Sequence, residues 1–279
     1  MDAIKTTSLT KYYGRARGIT DMNLTVEQGD FFGFIGPNGA GKSTTIRTLL
    51  GLTSPSEGSA QILGMDISRQ KEEILSHVGY MPSEASFYRN MRVRDVIGFS
   101  AELRRRDCRA EARNLCERLE LDVNKKIREL SLGNRKKVSI VCALQHMPEV
   151  CILDEPTSGL DPAGAVLFRR IIEDERQKGT TVFVTTHNML DADLLCDRVA
   201  FLSNGNIVAL DTPRNLKEQN SSHSIVVDYL YQGRREEQTV EAPELKAGIP
   251  FAYDELISVH SQEPTLEDIF IQYAGRRLS

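Results

Sequence analysis

One glycine-rich loop constrains this chain more than any other feature, and it reads Gly36-Pro37-Asn38-Gly39-Ala40-Gly41-Lys42-Ser43. The loop matches the pattern G-x-x-x-x-G-K-[ST]. It follows the apolar segment 31–35, predicted as a buried strand, and precedes a helix predicted over 44–50. This is the context that a phosphate-binding loop requires. The three elements together predict an α/β fold with a nucleotide phosphate held between strand and helix.

Each part of this loop has a predicted contact. Glycines let successive backbone N–H groups turn toward phosphate oxygens, and the helix beginning near Thr44 adds the positive end of its dipole. Lys42 can reach the β- and γ-phosphates, and the Ser43 hydroxyl can ligate Mg²⁺. The alternative is a glycine-rich turn with an incidental lysine, which the flanking strand and helix disfavour.

Two adjacent carboxylates, Asp154 and Glu155, follow a second apolar segment at 150–153. Near-continuous apolar runs are typical of parallel strands buried on both faces. We expect Asp154 to hold the Mg²⁺ shell, as in other phosphate-loop NTPases, and Glu155 to orient the attacking water. The alternative is that the pair only caps the segment that follows.

The remaining chain divides into helix-rich and strand-rich parts. The sequence predicts helices at 93–103, 110–121, 131–145 and 164–177. A near-continuous apolar run predicts a further buried strand at 181–185. Asn204 and Gly205 predict a hairpin turn between 198–203 and 206–210. After Pro213, short strand-like segments at 224–231 and 237–240 and a helix at 265–273 predict a small α+β appendage.

Charge and hydropathy exclude some classes of function. The chain has 279 residues and a formal net charge of −4, which argues against a dedicated nucleic-acid binder. No apolar stretch approaches the ~20 residues that cross a bilayer, and the N-terminus lacks the apolar core of a signal peptide. We therefore expect a cytoplasmic chain with no nucleic-acid partner.

The most specific motif is the segment at 130–138, which reads Leu130-Ser131-Leu132-Gly133-Asn134-Arg135-Lys136-Lys137-Val138. Its serine, Ser131, lies 23 residues before Asp154. It resembles the L-S-G-G-Q signature of ABC transporter nucleotide-binding subunits. In that family the serine hydroxyl and the second glycine contact the γ-phosphate bound to the opposite subunit. Ser131 and Gly133 match, whereas Leu132 replaces a glycine and Asn134 replaces the glutamine. The resemblance implies that the contact through Ser131 and Gly133 can survive these changes, whereas the family's tuning of affinity and rate does not carry over with it.

Other residues extend the resemblance over at least residues 4–213. His187, at the end of a strand, matches the histidine that contacts the γ-phosphate. Asp161 matches the aspartate of the loop that spans the dimer, the D-loop. Tyr13 matches the aromatic residue that stacks on adenine, with Tyr12 as the competing candidate.

One position departs from the family pattern. A glutamine that touches Mg²⁺ and senses the membrane partner usually follows Gly-Tyr-x-Pro. Here Ser83 occupies that position and Glu84 follows it. This pattern and the segment 263–270 resemble the exporter branch linked to drug, bacitracin-type and lantibiotic resistance.

The resemblance implies a P-loop NTPase with a RecA-like parallel core sheet, an antiparallel β subdomain, a helical signature subdomain at about 85–147 and the α+β appendage. The expected ATP-binding domain covers 1–215 and the appendage 216–279. The implied activity is ATP hydrolysis with Mg²⁺, coupled to transport. The implied partners are a second copy of the chain and a transmembrane permease on the inner face of the cell membrane.

Two other functions stay open at this point: a non-transport ABC ATPase, and a regulatory module that binds ATP with weak hydrolysis. Two basic segments are interpreted as solvated surface: Arg104–Arg106, with a membrane contact as the alternative, and the lysines and arginines at 125–126 and 135–137. Met81, Phe87, Tyr88 and Met91 are interpreted as lining a groove for the permease.

Overall fold

A computed structural model of the chain describes residues 1–14, 16–221, 224–241, 248–261 and 263–275. Contacts group these residues into two compact units, one of Met1–Leu210 and one that begins at Asp211. The two units are described separately below.

A six-stranded sheet of order β10-β9-β3-β8-β7-β6 forms the centre of the first unit, and its strands β9, β3, β8, β7 and β6 run parallel. Strands β3, β7 and β8 are buried along their whole length, which explains their continuous apolar sequences. The rings of Phe32 and Phe183 stack across β3 and β8, with centroids 5.8 Å apart. The strands are β3 (Phe31–Ile35), β6 (Val78–Met81), β7 (Val150–Asp154), β8 (Thr181–Thr186), β9 (Arg198–Ser203) and β10 (Asn206–Asp211).

The turn between β9 and β10 confirms the predicted hairpin. Asn204 and Gly205 both have positive φ angles, 48° and 78°, as the favoured two-residue hairpin turn requires. Asparagine and glycine tolerate this conformation at low cost, so the dipeptide sets the position of the turn.

An antiparallel sheet of order β2-β1-β4-β5 forms a second layer of the first unit. Ile4 on β1 pairs with Val26 on β2 and with Ile62 on β4, and all three side chains are buried. The strands are β1 (Asp2–Tyr13), β2 (Ala16–Glu27), β4 (Glu57–Ile62) and β5 (Met65–Asp66). The predicted antiparallel subdomain is therefore present.

Helices make up most of the region between β6 and β7. The predicted helices at 93–103, 110–121 and 131–145 are confirmed, with ends that differ by up to three residues. The helices of the first unit are α1 (Lys42–Leu49), α2 (Lys71–His77), α3 (Val93–Leu103), α4 (Arg109–Arg118), α5 (Leu132–Leu144), α6 (Pro162–Gln177) and α7 (Met189–Leu195), with a 3₁₀ turn at Ile127–Glu129.

The interpretation of Arg104 as a solvated side chain is wrong. Its guanidinium donates to the backbone oxygens of Leu75 and Val78, at 2.9 and 3.2 Å, and burial lowers its pKa. Arg106 donates to the backbone oxygen of His146 at 3.3 Å, while Arg105 is exposed. The arginines here tie the helical region to the end of α2 and to the loop after α5.

The second unit contains an antiparallel sheet of order β12-β11-β13, which confirms the predicted strands and adds β13. Val227 is fully buried, and the rings of Tyr229 and Phe251 lie 4.6 Å apart. Thr265 caps the last helix, because its Oγ1 accepts from the N–H of Asp268. The elements are α8 (Pro213–Asn220), β11 (Ser224–Tyr231), β12 (Arg234–Glu241), β13 (Glu255–Ser261) and α9 (Leu266–Ala274).

Candidate functional site

The glycine-rich loop lies where the central sheet meets α1. Strand β3 delivers the chain to Gly36, and α1 begins directly after Gly41. Gly41 has φ 114°, a conformation that side chains disfavour. At Gly36, a Cβ would come 2.4 Å from the backbone oxygen of Leu202 on β9. Both positions therefore require glycine, and the loop is held close against the sheet with the N-terminus of α1 open toward a ligand.

Lys42 is buried at the centre of this loop. Its Nζ donates to the backbone oxygen of Gly36 at 2.6 Å and to that of Pro37 at 3.3 Å. It also lies 3.4 Å from Oε1 of Glu155. The ammonium is thus fixed between the loop and the carboxylate at the end of β7, where it adds to the positive dipole end of α1.

Asp154 ends β7 in a buried position with two hydroxyl neighbours. The Oγ1 of Thr185, on the adjacent strand β8, donates to Oδ1 of Asp154. The Oγ of Ser43, at the start of α1, lies 3.5 Å from Oδ2. Parallel pairing of Asp154 with Thr185 places both at the same edge of the sheet. A carboxylate and a hydroxyl are hard oxygen donors of the kind that Mg²⁺ prefers, so Ser43 and Asp154 fit that ion.

Glu155 has a constrained backbone and two ionic neighbours. Its φ is 49°, in the left-handed region, which costs about 1–3 kcal/mol for a residue with a side chain unless the surroundings hold it. Its N–H donates to the backbone oxygen of Thr185 at 3.0 Å. Its Oε2 lies 2.6 Å from Nδ1 of the half-exposed His187. The side chain therefore points between Lys42 and His187, where a γ-phosphate on the loop would lie.

Lys136, in the second turn of α5, also contacts this residue. Its Nζ donates to the backbone oxygen of Glu155 at 2.8 Å, and its side chain is only 4% exposed. Burial lowers the pKa of Lys136, and the nearby charges of Glu155 and Asp154 partly offset the effect. The interpretation of Lys136 as solvated surface is wrong. The neighbouring Lys137 is not fully solvated either, because its Nζ donates to the backbone oxygen of Leu119 at 3.0 Å.

A cleft of about 400 Å³ joins most of the predicted ATP-binding residues. Tyr13 lines it and Tyr12 does not, so the geometry favours Tyr13 for the base. Ser83 and Glu84 also line it, as does Arg17, which the sequence analysis did not single out. The described lining also includes Pro37, Asn38, Gly39, Gly41, Lys42, Ser43, Thr44, Asp154, Glu155 and Ser158.

A second cleft of about 230 Å³ adjoins the first through Glu155 and Ser158. His187 lines it together with Asn188 and Asp191 from the start of α7. Asp161 is the N-cap of α6, since its Oδ1 accepts from the N–H of Gly164 at 2.7 Å. The proposed role of Asp161 in communication between sites stays a prediction.

The signature residues lie outside both clefts, as far as the described lining residues show. Ser131 is exposed and caps α5, with its Oγ accepting from the N–H of Asn134 at 3.2 Å. Leu132 reaches the segment that contains Asp161: a Cβ on Gly159 would come 2.9 Å from Cδ2 of Leu132. One chain therefore presents Ser131, Gly133 and Asn134 on a surface separate from its own phosphate loop.

Besides Arg17, sequence reasoning missed two further residues at the site. Thr185 is hidden in an apolar strand, and only its pairing with Asp154 shows its role. Lys136 shares a helical face with Ile140 and Ala143, both buried, so the spacing of α5 could have indicated its burial.

Comparisons with known proteins agree with this geometry. A family model described as "ABC transporter" matches residues 19–158. The bacitracin transport ATP-binding protein BcrA of Bacillus licheniformis is 36% identical over 224 residues, which cover 79% of this chain and 73% of BcrA. The fluoroquinolones export ATP-binding protein MT2762 of Mycobacterium tuberculosis is 33% identical over 287 residues, which cover 100% of this chain and 95% of that protein.

A solved structure of the ATP-binding subunit of an ABC transporter superposes with a TM-score of 0.73 at 27% identity. The superposition covers 78% of this chain and 92% of that one. Within the residues that the structure describes, no helix is both long enough and apolar enough to span a bilayer.

Proposed function

This chain belongs to the ABC transporter family and is an ATP-hydrolysing subunit of the exporter type, and we propose that it works as a head-to-tail homodimer docked on a separate membrane permease. The ATP-binding domain would cover residues 1–215 and the appendage 216–279. The division of contacts between Leu210 and Asp211 supports a boundary in this region.

ATP would bind in the cleft that runs from Tyr13 to the phosphate loop. The exposed ring of Tyr13 offers a flat face for adenine, and the N–H groups of the loop and of the first turn of α1 offer donors for the phosphates. Lys42 would exchange its loop carbonyl partners for the β- and γ-phosphate oxygens. The observation that carries this assignment is the convergence of Lys42, Asp154 and Glu155 on one point of the cleft.

Ser43 and Asp154 would hold Mg²⁺, with Thr185 fixing the orientation of the aspartate. The ion neutralises charge on the β- and γ-phosphate oxygens when it is bound. Ser83 and Glu84 lie across the same cleft and would take the place of the family's glutamine at its edge.

Hydrolysis would depend on Glu155. Its carboxylate is held between Lys42 and His187, in a position to accept a hydrogen bond from a water in line with the γ-phosphate. His187 would fix this carboxylate and donate to the γ-phosphate. Phosphoryl transfer needs little covalent chemistry from the protein, so positioning of these groups accounts for most of the catalysis.

The second half of each site would come from the partner subunit. Ser131 and the N–H groups at the start of α5 form an exposed helix N-terminus, which is suited to a phosphate on another molecule. Two ATP molecules would lie in the interface of the dimer. ATP would close the dimer because both faces bind the γ-phosphate, and hydrolysis would open it.

The permease would dock beside the segment after β6 on the inner face of the membrane. Tyr88 is 75% exposed there, and Phe87 and Met91 are partly exposed. Met81 does not belong to this surface, because it is fully buried in the core. The similarity to BcrA, a bacitracin transport protein, and to MT2762, a fluoroquinolone export protein, favours outward transport of a drug-like compound.

The test is the substitution Glu155→Gln, which keeps the shape of the side chain. We expect turnover of ATP to fall roughly 10²–10⁴-fold while ATP binding persists, so that an ATP-bound dimer accumulates. Steady-state phosphate release and light scattering measure the two effects. Glu149→Gln is the matched control, since Glu149 also pairs with a histidine, His77, at 2.7 Å. Near-normal turnover in Glu155→Gln would remove this residue from catalysis.

A further inference from the structure

A buried lysine on the signature helix contacts the backbone of the proposed catalytic glutamate. The Nζ of Lys136 donates to the backbone oxygen of Glu155 at 2.8 Å. The lysine side chain crosses from α5 to the end of β7 and is almost completely enclosed. Among the described residues, the hydrogen bond of this ammonium goes to the carbonyl of Glu155.

The peptide groups on both sides of Glu155 are held by hydrogen bonds. The N–H is fixed to the backbone oxygen of Thr185, and the carbonyl is fixed to Lys136. The residue between these two bonds has a φ of 49°, which a side-chain residue adopts only when its surroundings impose it. The direction of the Glu155 side chain, and therefore the place of its carboxylate, depends on both bonds.

The position of Lys136 depends in turn on the start of α5. The N–H of Arg135 donates to the backbone oxygen of Ser131 at 3.0 Å, and the N–H of Asn134 donates to the Ser131 hydroxyl. Ser131, the N-cap, and Lys136, in the second turn, therefore belong to one hydrogen-bonded segment at the start of α5. In the proposed dimer, Ser131 serves the ATP bound to the other subunit, whereas Glu155 serves the ATP bound to its own subunit.

We propose that Lys136 is a positioning residue that sets the orientation of Glu155 and makes it depend on the engagement of Ser131 with the opposite ATP. When a γ-phosphate fixes the N-terminus of α5, Lys136 fixes the carbonyl of Glu155. Each ATP then helps to align the glutamate that hydrolyses the other. This inference rests on the proposed function, in which Glu155 orients the attacking water.

The experiment compares Lys136→Met with Lys137→Met in the full chain. Methionine is unbranched and fills the space of the lysine stem, but it lacks the terminal ammonium and so has no donor. Lys137 is the matched control, because it is adjacent on α5 and also donates to a backbone carbonyl, that of Leu119. We expect Lys136→Met to lower kcat for ATP roughly 10- to 100-fold, as expected for loss of a supporting hydrogen bond, with KM for ATP nearly unchanged. Lys137→Met should leave kcat unchanged.

Two further measurements separate positioning from a general structural role. Lys136→Arg keeps a donor, and it should recover most of the lost turnover. In the Glu155→Gln background, Lys136→Met should still form the ATP-bound dimer by light scattering, because the lysine does not contact nucleotide. If Lys136→Met does not unfold cooperatively, Lys136→Ala replaces it, with the same expected loss in kcat.

The possible outcomes separate the role of Lys136 from that of Glu155. Normal kcat in Lys136→Met or Lys136→Ala, with Glu155→Gln inactive, overturns the inference about Lys136 alone. Near-normal turnover in Glu155→Gln overturns the proposed role of Glu155 and the inference with it. A loss of ATP affinity that equals the loss in kcat/KM would show that Lys136 supports binding, and would also overturn the proposal.

Discussion

Replacement of Thr185 by valine tests how the sheet prepares the proposed metal site. Valine has the shape of threonine and suits a buried strand, so the substitution removes the hydroxyl with little change in packing. The hydroxyl donates to Oδ1 of Asp154, a carboxylate that is 4% exposed. Within the part of the chain that the structure describes, the donor that remains for this carboxylate is the distant Ser43 hydroxyl, at 3.5 Å.

The size of the effect follows from the charge of the acceptor. A hydrogen bond to a charged group is worth about 1.5–3 kcal/mol. A buried carboxylate that loses its donor has no water to replace it, so its desolvation also destabilises the folded chain. We expect the free energy of unfolding to fall by about 2–3 kcal/mol on this basis. The N–H of Glu155 keeps its bond to the Thr185 backbone oxygen, so the strand pairing persists.

Because Asp154 loses the hydroxyl that orients it, Thr185→Val should also need a higher Mg²⁺ concentration for half-maximal ATP hydrolysis. Partners that orient a metal ligand typically contribute about 10- to 100-fold in metal affinity. The assay is ATP hydrolysis titrated with Mg²⁺ at fixed ATP, alongside unfolding by urea. Saturating Mg²⁺ should restore most of the activity of Thr185→Val, because Asp154 itself is present.

The control is Thr181→Val on the same strand. The Oγ1 of Thr181 is buried and accepts from the N–H of Gly29 at 3.0 Å, at the end of β8 away from the site. Its loss should cost about 1 kcal/mol, as for a neutral hydrogen bond, and leave the Mg²⁺ titration unchanged. An unchanged Mg²⁺ midpoint in Thr185→Val would refute the role of Thr185 in orienting Asp154.

Two other predictions concern the interface and the helical region. Ser131→Arg should abolish the ATP-dependent dimer while nucleotide binding persists, because the arginine fills the exposed helix N-terminus; an intact dimer by light scattering would contradict the two-site arrangement. His146 is buried with Nε2 3.3 Å from the backbone oxygen of Val78, and burial, with Arg104 nearby, lowers its pKa to about 3. Because the unfolded chain takes up a proton near pH 6.5 and the folded chain does not, stability is lost as pH falls, by about 2 kcal/mol between pH 7 and pH 5. His146→Gln should remove this part of the pH dependence in urea unfolding, and equal slopes for the two proteins would show that His146 titrates normally.

The phosphate loop could be predicted because its chemistry is local. The two glycines, Gly36 and Gly41, act through their backbone conformation, and the side chain of Lys42 contacts the loop itself. All three residues lie within a few positions of β3 and α1. The strands around it are continuous apolar runs, which is the pattern of a parallel sheet buried on both faces. The fold class and the family therefore followed from the sequence, and the comparisons confirm them.

The burial of charged residues could not be predicted in the same way. Arg104 is partly buried and Lys136 is buried, and each donates to a carbonyl that is distant in sequence. The local sequence does not show these partners, so each basic segment looks like solvated surface. Such a group is stable only because its partner is already in place in the folded chain. The strands β1 and β4 were also missed, since their polar outer faces weaken the apolar pattern.

The departures in the signature acquire a physical meaning in the folded chain. Leu132 replaces a glycine, and its side chain lies close to Gly159, while Ser131 is exposed. The leucine adds an apolar contact between the signature and the loop that leads to Asp161. Lys136 joins the same helix to Glu155. In the proposed dimer, the face for the partner's ATP would therefore be joined at two points to the residues for the chain's own ATP, through Leu132 and Lys136 of α5.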